Sequence, residues 1–151
     1  MSRLRIVVAD QAEAIFYDTP SLQSVPKEIA RISDPAAHLH DRDLMSDRPG
    51  RSYESVGGAR HAIERENDPR QREAVRFARR IARRLDEARR KNEYEQLIVV
   101  AGPAFLGLMR EEMSRPTRER VVHEVHKDLV HSPAEALRKH LPASAAELLP
   151  A

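Results

Sequence analysis

The sequence predicts a single α/β domain in which helices cover a mixed β-sheet. Three observations favour this class. The 151 residues match the length of one ordinary domain. Closely spaced strand patterns open the chain, which is typical of an antiparallel hairpin or meander, and strand patterns then alternate with helical ones, which favours parallel pairing. We expect the order β-β-β-loop-α-β-α-β-α, with one domain over residues 1–142 and a flexible tail over 143–151.

Three short strands are predicted before the first helix. Residues 4–9 are an apolar, β-branched run typical of a buried strand. Residues 12–19 follow a tight turn and predict its antiparallel partner. That strand ends before Pro20, because proline cannot donate a hydrogen bond to a sheet ladder. Residues 27–33 predict a third strand.

One long helix is predicted from residue 69. Asp68 suits the N-cap, Pro69 the first turn, and Gln71 has the spacing of a capping box. Asn92 marks the expected end. Apolar residues at helical spacing form one stripe, and arginines occupy the other faces: the stripe is Ala74, Phe77, Ala78, Ile81, Ala82, Leu85 and Ala88.

Two further strand and helix pairs complete the fold. Residues 96–101 are a continuous apolar run, which predicts a strand buried on both faces. The Gly-Pro pair at 102–103 begins a helix. Residues 120–125 predict the last strand, and the capping-box spacing at 132–135 predicts the last helix.

Composition excludes several classes of protein. The chain has no Cys, so it has no disulfide, thiolate metal site or cysteine nucleophile. A net charge of +2 excludes a polycation of the histone type. No apolar run approaches the roughly 20 residues of a membrane span, and no export signal is recognisable at the N-terminus. We therefore expect a soluble cytoplasmic protein without membrane insertion.

Positive charge is concentrated in the middle of the chain. Residues 41–91 hold 15 Lys and Arg against 10 Asp and Glu, whereas the remainder holds 11 against 14. Most of these cations are arginines, whose planar guanidinium pairs with phosphate through two hydrogen bonds. The alternative is a solvated helix face with Glu–Arg pairs.

A long loop over residues 35–67 is the strongest candidate for a functional segment. It shows neither helical nor strand periodicity, and loops longer than about 12–15 residues are usually functional or disordered. Two adjacent glycines allow close approach of the backbone to a ligand. The predicted nucleic-acid ligands are Arg42, Arg48, Arg51, Gly57, Gly58, Arg60, Arg72 and Arg76.

Side chains of this loop also suit two other chemistries. His61 is the candidate catalytic base, because an imidazole titrates near neutral pH; the alternative is an exposed His after a flexible Gly-Gly hinge. Four further residues have side chains that bind zinc or manganese: His38, His40, Asp41 and Asp43. The interleaved Arg42 and Arg48 oppose cation binding, so we expect no metal and no cofactor.

The chain resembles the bacterial host attachment protein family. The resemblance rests on residues 38–51, on Gly-Gly-Ala-Arg-His at 57–61, and on residues 73–78, 97–107 and 127–129. It spans nearly the whole chain. The family is named for a link to the attachment of bacteria to host cells.

The same layout is similar to the middle domain of archaeal and eukaryotic class-1 peptide release factors. In those factors a Gly-Gly-Gln loop precedes a long Arg-rich helix, and the Gln helps to position the water that attacks peptidyl-tRNA. The resemblance matches Gly57 and Gly58 to the two glycines, and Ala59 stands in place of the Gln.

Three functions follow as hypotheses. The first is a non-catalytic domain that associates with the ribosome or with structured RNA. The second is an ester hydrolase that cleaves peptidyl- or aminoacyl-tRNA with His61 as base. The third is a protein-interaction factor that supports attachment indirectly. The sequence leaves the oligomeric state open.

Overall fold

The computed structural model describes residues 3–36 and 68–143. Its sheet has five strands in the order β3-β2-β1-β4-β5. The strands are β1 (Leu4–Ala9), β2 (Glu13–Thr19), β3 (Lys27–Ser33), β4 (Gln96–Ala101) and β5 (Val121–Val125). The helices after residue 68 are α1 (Pro69–Arg90), α2 (Pro103–Glu112), α3 (Arg115–Arg118) and α4 (Ala134–Arg138). The predicted α/β class is confirmed.

The sheet is mixed, as the connection lengths predicted. β1 pairs antiparallel with β2 and parallel with β4. β2 pairs antiparallel with β3, and β4 pairs parallel with β5. A tight turn closes the first hairpin, where Asp10 Oδ1 accepts hydrogen bonds from the N–H groups of Ala12 and Glu13, each at 2.8 Å. The bounds of β1, β3 and β4 match the prediction, and β2 and β5 begin one residue later.

Both faces of the central strands are buried. Every residue of β1 is buried, and so are the last five residues of β4. Successive strand side chains point to opposite faces. Val7 and Ala9 therefore join the core beneath α1 and α2, whereas Ile6 and Val8 pack against the segment after β5, which includes Leu137 of α4.

The predicted N-cap of α1 is confirmed, whereas the predicted capping-box bond of Gln71 is absent from the described residues. Asp68 is the N-cap, and its Oδ1 accepts a hydrogen bond from the Arg70 N–H at 2.9 Å. Pro69 occupies the first turn, where a backbone N–H would have no intrahelical acceptor, so the missing N–H of proline costs no hydrogen bond. Six of the seven predicted stripe residues are buried against the sheet, and Ala74 is half-buried: the six are Phe77, Ala78, Ile81, Ala82, Leu85 and Ala88.

The C-terminus of α1 turns the chain back toward the sheet. Asn92 has a φ of 58°, a left-handed conformation that Asn tolerates better than most residues. Its N–H donates to Arg89 O at 3.0 Å, and the Glu93 N–H donates to Ala88 O at 2.9 Å. These two bonds form a Schellman motif, which confirms Asn92 as the stop. The turn also brings Glu93 to within 3.2 Å of the Arg5 guanidinium.

Two local features differ from the prediction. The capping box at residues 132–135 is wrong, because the N-cap of α4 is Pro133, which makes no side-chain capping bond. Ser132 instead closes a turn, donating its N–H to Leu129 O at 3.0 Å. The short helix α3 was not predicted. Its sequence contained a recognisable helix-start signal, since Ser114 is the N-cap and a proline lies in the first turn.

Asp86 joins α1 to α3 through a hydrogen-bonded cluster. It accepts hydrogen bonds from Arg89 at 2.7 Å, from the Ser114 hydroxyl at 2.8 Å and from the Thr117 hydroxyl at 3.2 Å. The hydrogen bond from Arg89, followed by that from Ser114, lowers the pKa of Asp86 to about 2 against the opposing effect of burial. The ionised carboxylate therefore stabilises the packing of these two helices.

We expect Asp86→Asn to lower the free energy of unfolding by about 1–2 kcal/mol at pH 7. Because the folded-state pKa lies below the ordinary value, this contribution is present above about pH 4 and is lost as the pH falls toward about 2. Chemical unfolding followed by circular dichroism at pH 7, 5 and 3 measures it. Glu111→Gln on exposed α2 surface is the control, expected to stay within about 0.5 kcal/mol of wild type. A deficit of the same size at every pH would contradict the assignment.

Candidate nucleic-acid interface on helix α1

Helix α1 is densely positive. Its 22 residues include nine arginines against three acidic residues, an excess of six positive charges. A helix of this length spans about 33 Å. Because the apolar stripe faces the sheet, the arginines lie on the remaining faces, where their charges are hydrated.

The face opposite the sheet forms a row of guanidinium groups. We call this face the outer arginine stripe. Helical spacing assigns six exposed residues to it: Arg72, Arg76, Arg79, Arg80, Arg83 and Arg90. Three members pair with carboxylates: Arg76 with Glu73 at 2.8 Å, Arg79 with Glu112 at 2.9 Å and Arg90 with Asp86 at 2.6 Å. The arginine side chains of these pairs remain 52–67% exposed, and such pairs are worth roughly 0–1 kcal/mol. A phosphate can therefore replace the carboxylate at low cost.

Positive charge without a counter-ion lies in the middle of α1. Within residues 3–36 and 68–143, neither Arg83 nor Arg84 has a carboxylate partner. Arg84 lies over the Phe16 ring, with its guanidinium carbon 5.3 Å from the ring centroid. Arg80 is held differently, donating to Ser33 O at 3.1 Å. Within the described residues, the centre of the stripe thus offers one guanidinium, that of Arg83, without a carboxylate partner.

A buried carboxyl lies at the end of β3, just before the predicted long loop. Asp34 is 6% exposed, and its Oδ1 accepts a hydrogen bond from the Ala36 N–H at 3.1 Å. Its Oδ2 accepts no hydrogen bond from a donor in the described residues. Burial first, and the neighbouring Glu73 carboxyl second, raise the pKa of Asp34, whereas Arg80 opposes them. The site therefore disfavours two ionised carboxylates at neutral pH.

The chain matches one family model over residues 5–141, and that family is described as a protein required for attachment to host cells. The chain belongs to this family. A relative from Rickettsia prowazekii (strain Madrid E), described as an uncharacterized protein, is 23% identical over 136 residues and covers 89% of each chain. The predicted membership in the host attachment family is confirmed, and the similarity to release factors stays a prediction.

Of the sequence-predicted ligands in this host attachment family protein, Arg72 and Arg76 lie together on the outer arginine stripe. The other predicted site residues lie outside the described residues, so their grouping stays a prediction: Arg42, Arg48, Arg51, Gly57, Gly58, Arg60 and the candidate base His61. The candidate metal ligands His38, His40, Asp41 and Asp43 lie outside as well.

Sequence reasoning missed Arg83 as a ligand for a specific reason. Asp86 and Glu87 follow it by three and four residues, the spacing that predicts ion pairs on a helix. In the fold, Asp86 is engaged by Arg89 and by the two hydroxyls from the α3 region. Arg83 is left without it. Arg89 and Arg90 of α1 both pair with Asp86, and Glu87 pairs with no arginine within the described residues, so helical spacing alone did not identify the arginine that stays unpaired.

The described residues hold no cluster of three or more His, Cys, Asp or Glu side chains that would suit a metal ion. The histidines around β5 do not converge, and His126 instead lies 3.6 Å from the Glu124 carboxylate. No helix in the described part of the chain is both long and apolar enough to cross a bilayer.

We expect Asp34→Asn to raise the free energy of unfolding at pH 7 by about 1 kcal/mol. The amide keeps the acceptor for Ala36 and removes the repulsion by Glu73. Because the folded-state pKa of Asp34 is raised, wild type regains this stability as the pH falls and the carboxyl takes up a proton. The advantage of Asp34→Asn should thus shrink between neutral pH and pH 4 in urea unfolding curves. Asp128→Asn, at an exposed carboxylate, is the control; an advantage for Asp34→Asn that grows on acidification would refute the interpretation.

Proposed function

We propose that this protein is a non-catalytic domain that binds the phosphate backbone of structured RNA, free or in the ribosome, through the outer arginine stripe. One observation carries the proposal: α1 has an excess of six positive charges, and Arg83 in the centre of its exposed face has no carboxylate partner among residues 3–36 and 68–143. The arginines predicted in the loop, Arg48, Arg51 and Arg60, extend this surface in the proposal.

The spacing of the stripe suits an extended polyanion. Arg76, Arg83 and Arg90 are seven residues apart, so they repeat every two helical turns, about 10.5 Å along one line. Each guanidinium binds a phosphate through two parallel hydrogen bonds. Since these contacts read the backbone and not the bases, the proposed binding is strong in low salt and has little sequence preference.

The chemistry of the stripe favours binding over catalysis. Guanidinium groups keep their protons at neutral pH, so they cannot act as general bases. Hydrolysis of peptidyl- or aminoacyl-tRNA would depend on His61, which stays a prediction from the sequence. An RNA-binding domain would work in the cytoplasm, and attachment to host cells would then depend on it indirectly.

We expect Arg76→Ala/Arg83→Ala/Arg90→Ala to weaken binding to a labelled RNA hairpin. Loss of three phosphate contacts should make the slope of log Kobs against log salt shallower by about 2. Fluorescence anisotropy between 50 and 200 mM KCl, roughly the range over which such contacts are lost, measures it. Co-sedimentation with ribosomes over the same range tests that partner.

The matched control is Arg118→Ala/Lys127→Ala/Lys139→Ala, which removes the same charge from exposed positions outside α1. Its slope should equal that of wild type. The proposal fails when the stripe variant and wild type bind RNA and ribosomes equally, or when the control loses as much as the stripe variant.

We expect Arg48→Ala/Arg51→Ala/Arg60→Ala to lower RNA affinity as well, because the loop cations extend the same backbone contact. Combined with the stripe variant, the two losses in binding free energy should add to within about 0.5 kcal/mol if the surfaces act independently. The same anisotropy titrations measure this. If the loop variant binds RNA with the affinity of wild type, the three loop arginines do not contact RNA.

The hydrolase alternative has its own test. Wild type and His61→Ala are assayed for release of the peptide from peptidyl-tRNA. Cleavage by wild type that is lost in His61→Ala would replace the non-catalytic proposal. No cleavage by either protein, together with salt-dependent binding, supports it.

A further inference from the structure

An open cavity of about 390 Å³ lies between the C-terminal half of α1 and the edge strand β3. This volume falls in the range of about 300–1,000 Å³ that is common for small-molecule sites. The floor is apolar and consists of Phe16, Ile29, Ala30 and Ala88. The cavity lies on the flank of α1, one row of side chains away from the outer arginine stripe.

A β-bulge supplies part of this floor. The pairing of β2 with β3 shifts between Phe16, opposite Ala30, and Tyr17, opposite Glu28, so Ile29 is the extra residue. Ile29 lines the cavity beside Ala30 and is 44% exposed. Bulges re-aim side chains and are frequent next to binding sites. Here the bulge keeps a large apolar side chain at an open cavity, where a ligand could cover it.

The rim carries two cations that form no ion pair within the described residues. Arg84 and Lys91 line the cavity, are exposed, and have no carboxylate partner in the described ranges 3–36 and 68–143. Arg5 also lines it, but its guanidinium is held by Asp18 at 2.7 Å and by Glu93 at 3.2 Å. Glu87 adds one hydrogen-bond acceptor to the rim.

We propose that this cavity binds a nucleoside monophosphate, either free or as one nucleotide of single-stranded RNA. The base packs on Ile29 and Ala88, and the Arg84 guanidinium stacks on it, as Arg does on nucleobases. Lys91 and Arg84 bind the phosphate. Glu87 accepts a hydrogen bond from a ribose hydroxyl or a base amino group.

This assignment uses the apolar floor, the two rim cations Arg84 and Lys91 and the Glu87 carboxylate, which meet at the same cavity. A fatty anion would leave Glu87 unused, and an uncharged ring would leave Arg84 and Lys91 unused. Only the RNA form of the ligand rests on the function proposed above. In that form, the backbone follows the outer arginine stripe and one base enters the cavity.

The first experiment titrates AMP and UMP into the full chain by calorimetry, with adenosine as the probe that lacks phosphate. The variant Arg84→Ala/Lys91→Ala should lower AMP affinity at least 10-fold and lower adenosine affinity by a smaller factor, because adenosine loses only the stacking by Arg84 whereas AMP also loses both phosphate contacts. Ile29→Glu, at a half-exposed position, should also lower AMP affinity at least 10-fold, because its carboxylate repels the phosphate. Thermal melting verifies that each variant is folded.

The control is Arg118→Ala/Lys139→Ala, which removes two exposed cations away from the cavity. It should bind AMP as wild type does. Absence of AMP and UMP binding at 5 mM, roughly the weak end of specific ligand affinities, overturns the proposal. Equal AMP affinity in wild type and in Arg84→Ala/Lys91→Ala also overturns it.

The second experiment separates the two sources of the ligand. A single-stranded hexanucleotide that binds at least 10-fold tighter than AMP, and loses affinity in Arg84→Ala/Lys91→Ala, identifies the ligand as part of RNA. Equal affinity for AMP and the hexanucleotide identifies it as a free nucleotide. If AMP binds and no RNA binds, the nucleotide site in the cavity is supported and the proposed RNA-binding function is refuted. If RNA binds equally well to wild type and to Arg84→Ala/Lys91→Ala, the nucleotide site is refuted and the RNA-binding function is not.

Discussion

The packing of one apolar stripe of α1 onto the sheet decides how this protein presents its charge. Six residues of the stripe are buried beneath the helix, and the sheet beneath them is buried on its other face as well. An arginine placed among the buried apolar residues of α1 would lose its hydration without gaining a charged partner, which costs several kcal/mol. The helix therefore has one orientation available, and that orientation directs its arginines to solvent over a length of about 33 Å.

The carboxylates near α1 are used mainly to join helices, which is why positive charge remains. Asp86 is engaged by Arg89 and by hydroxyls of the α3 region, and Glu112 of α2 pairs with Arg79. Arg83 lies between these clusters without a counter-ion in the described residues. Within the described residues, the contacts that fix α2 and α3 against α1 thus leave the Arg83 guanidinium available to an anion.

Strand β3, at the edge of the sheet within the described residues, completes the candidate interface. An exposed edge strand is a site for unwanted pairing, and a bulge is one common protection against it. At Ile29 the bulge has a second consequence, because it keeps an apolar side chain beside Arg84 of the facing helix. Apolar and cationic groups thus meet at the edge of the domain, next to the outer arginine stripe, and a nucleotide has the chemistry to contact both.

The sequence alone determined the features that depend on neighbours along the chain. The strands β1, β3 and β4, the cap at Asp68 and the stop at Asn92 were predicted correctly, because apolar periodicity, N-capping and the left-handed tolerance of Asn act within a few residues. The capping box at Ser132 was wrong because the helix begins one residue later, with Pro133 as its N-cap. Only the tertiary structure decided which arginines are free and where the cavity lies. Ion pairs such as Arg79–Glu112 join residues 33 apart, and no local pattern contains the position of a partner that the fold brings from so far away.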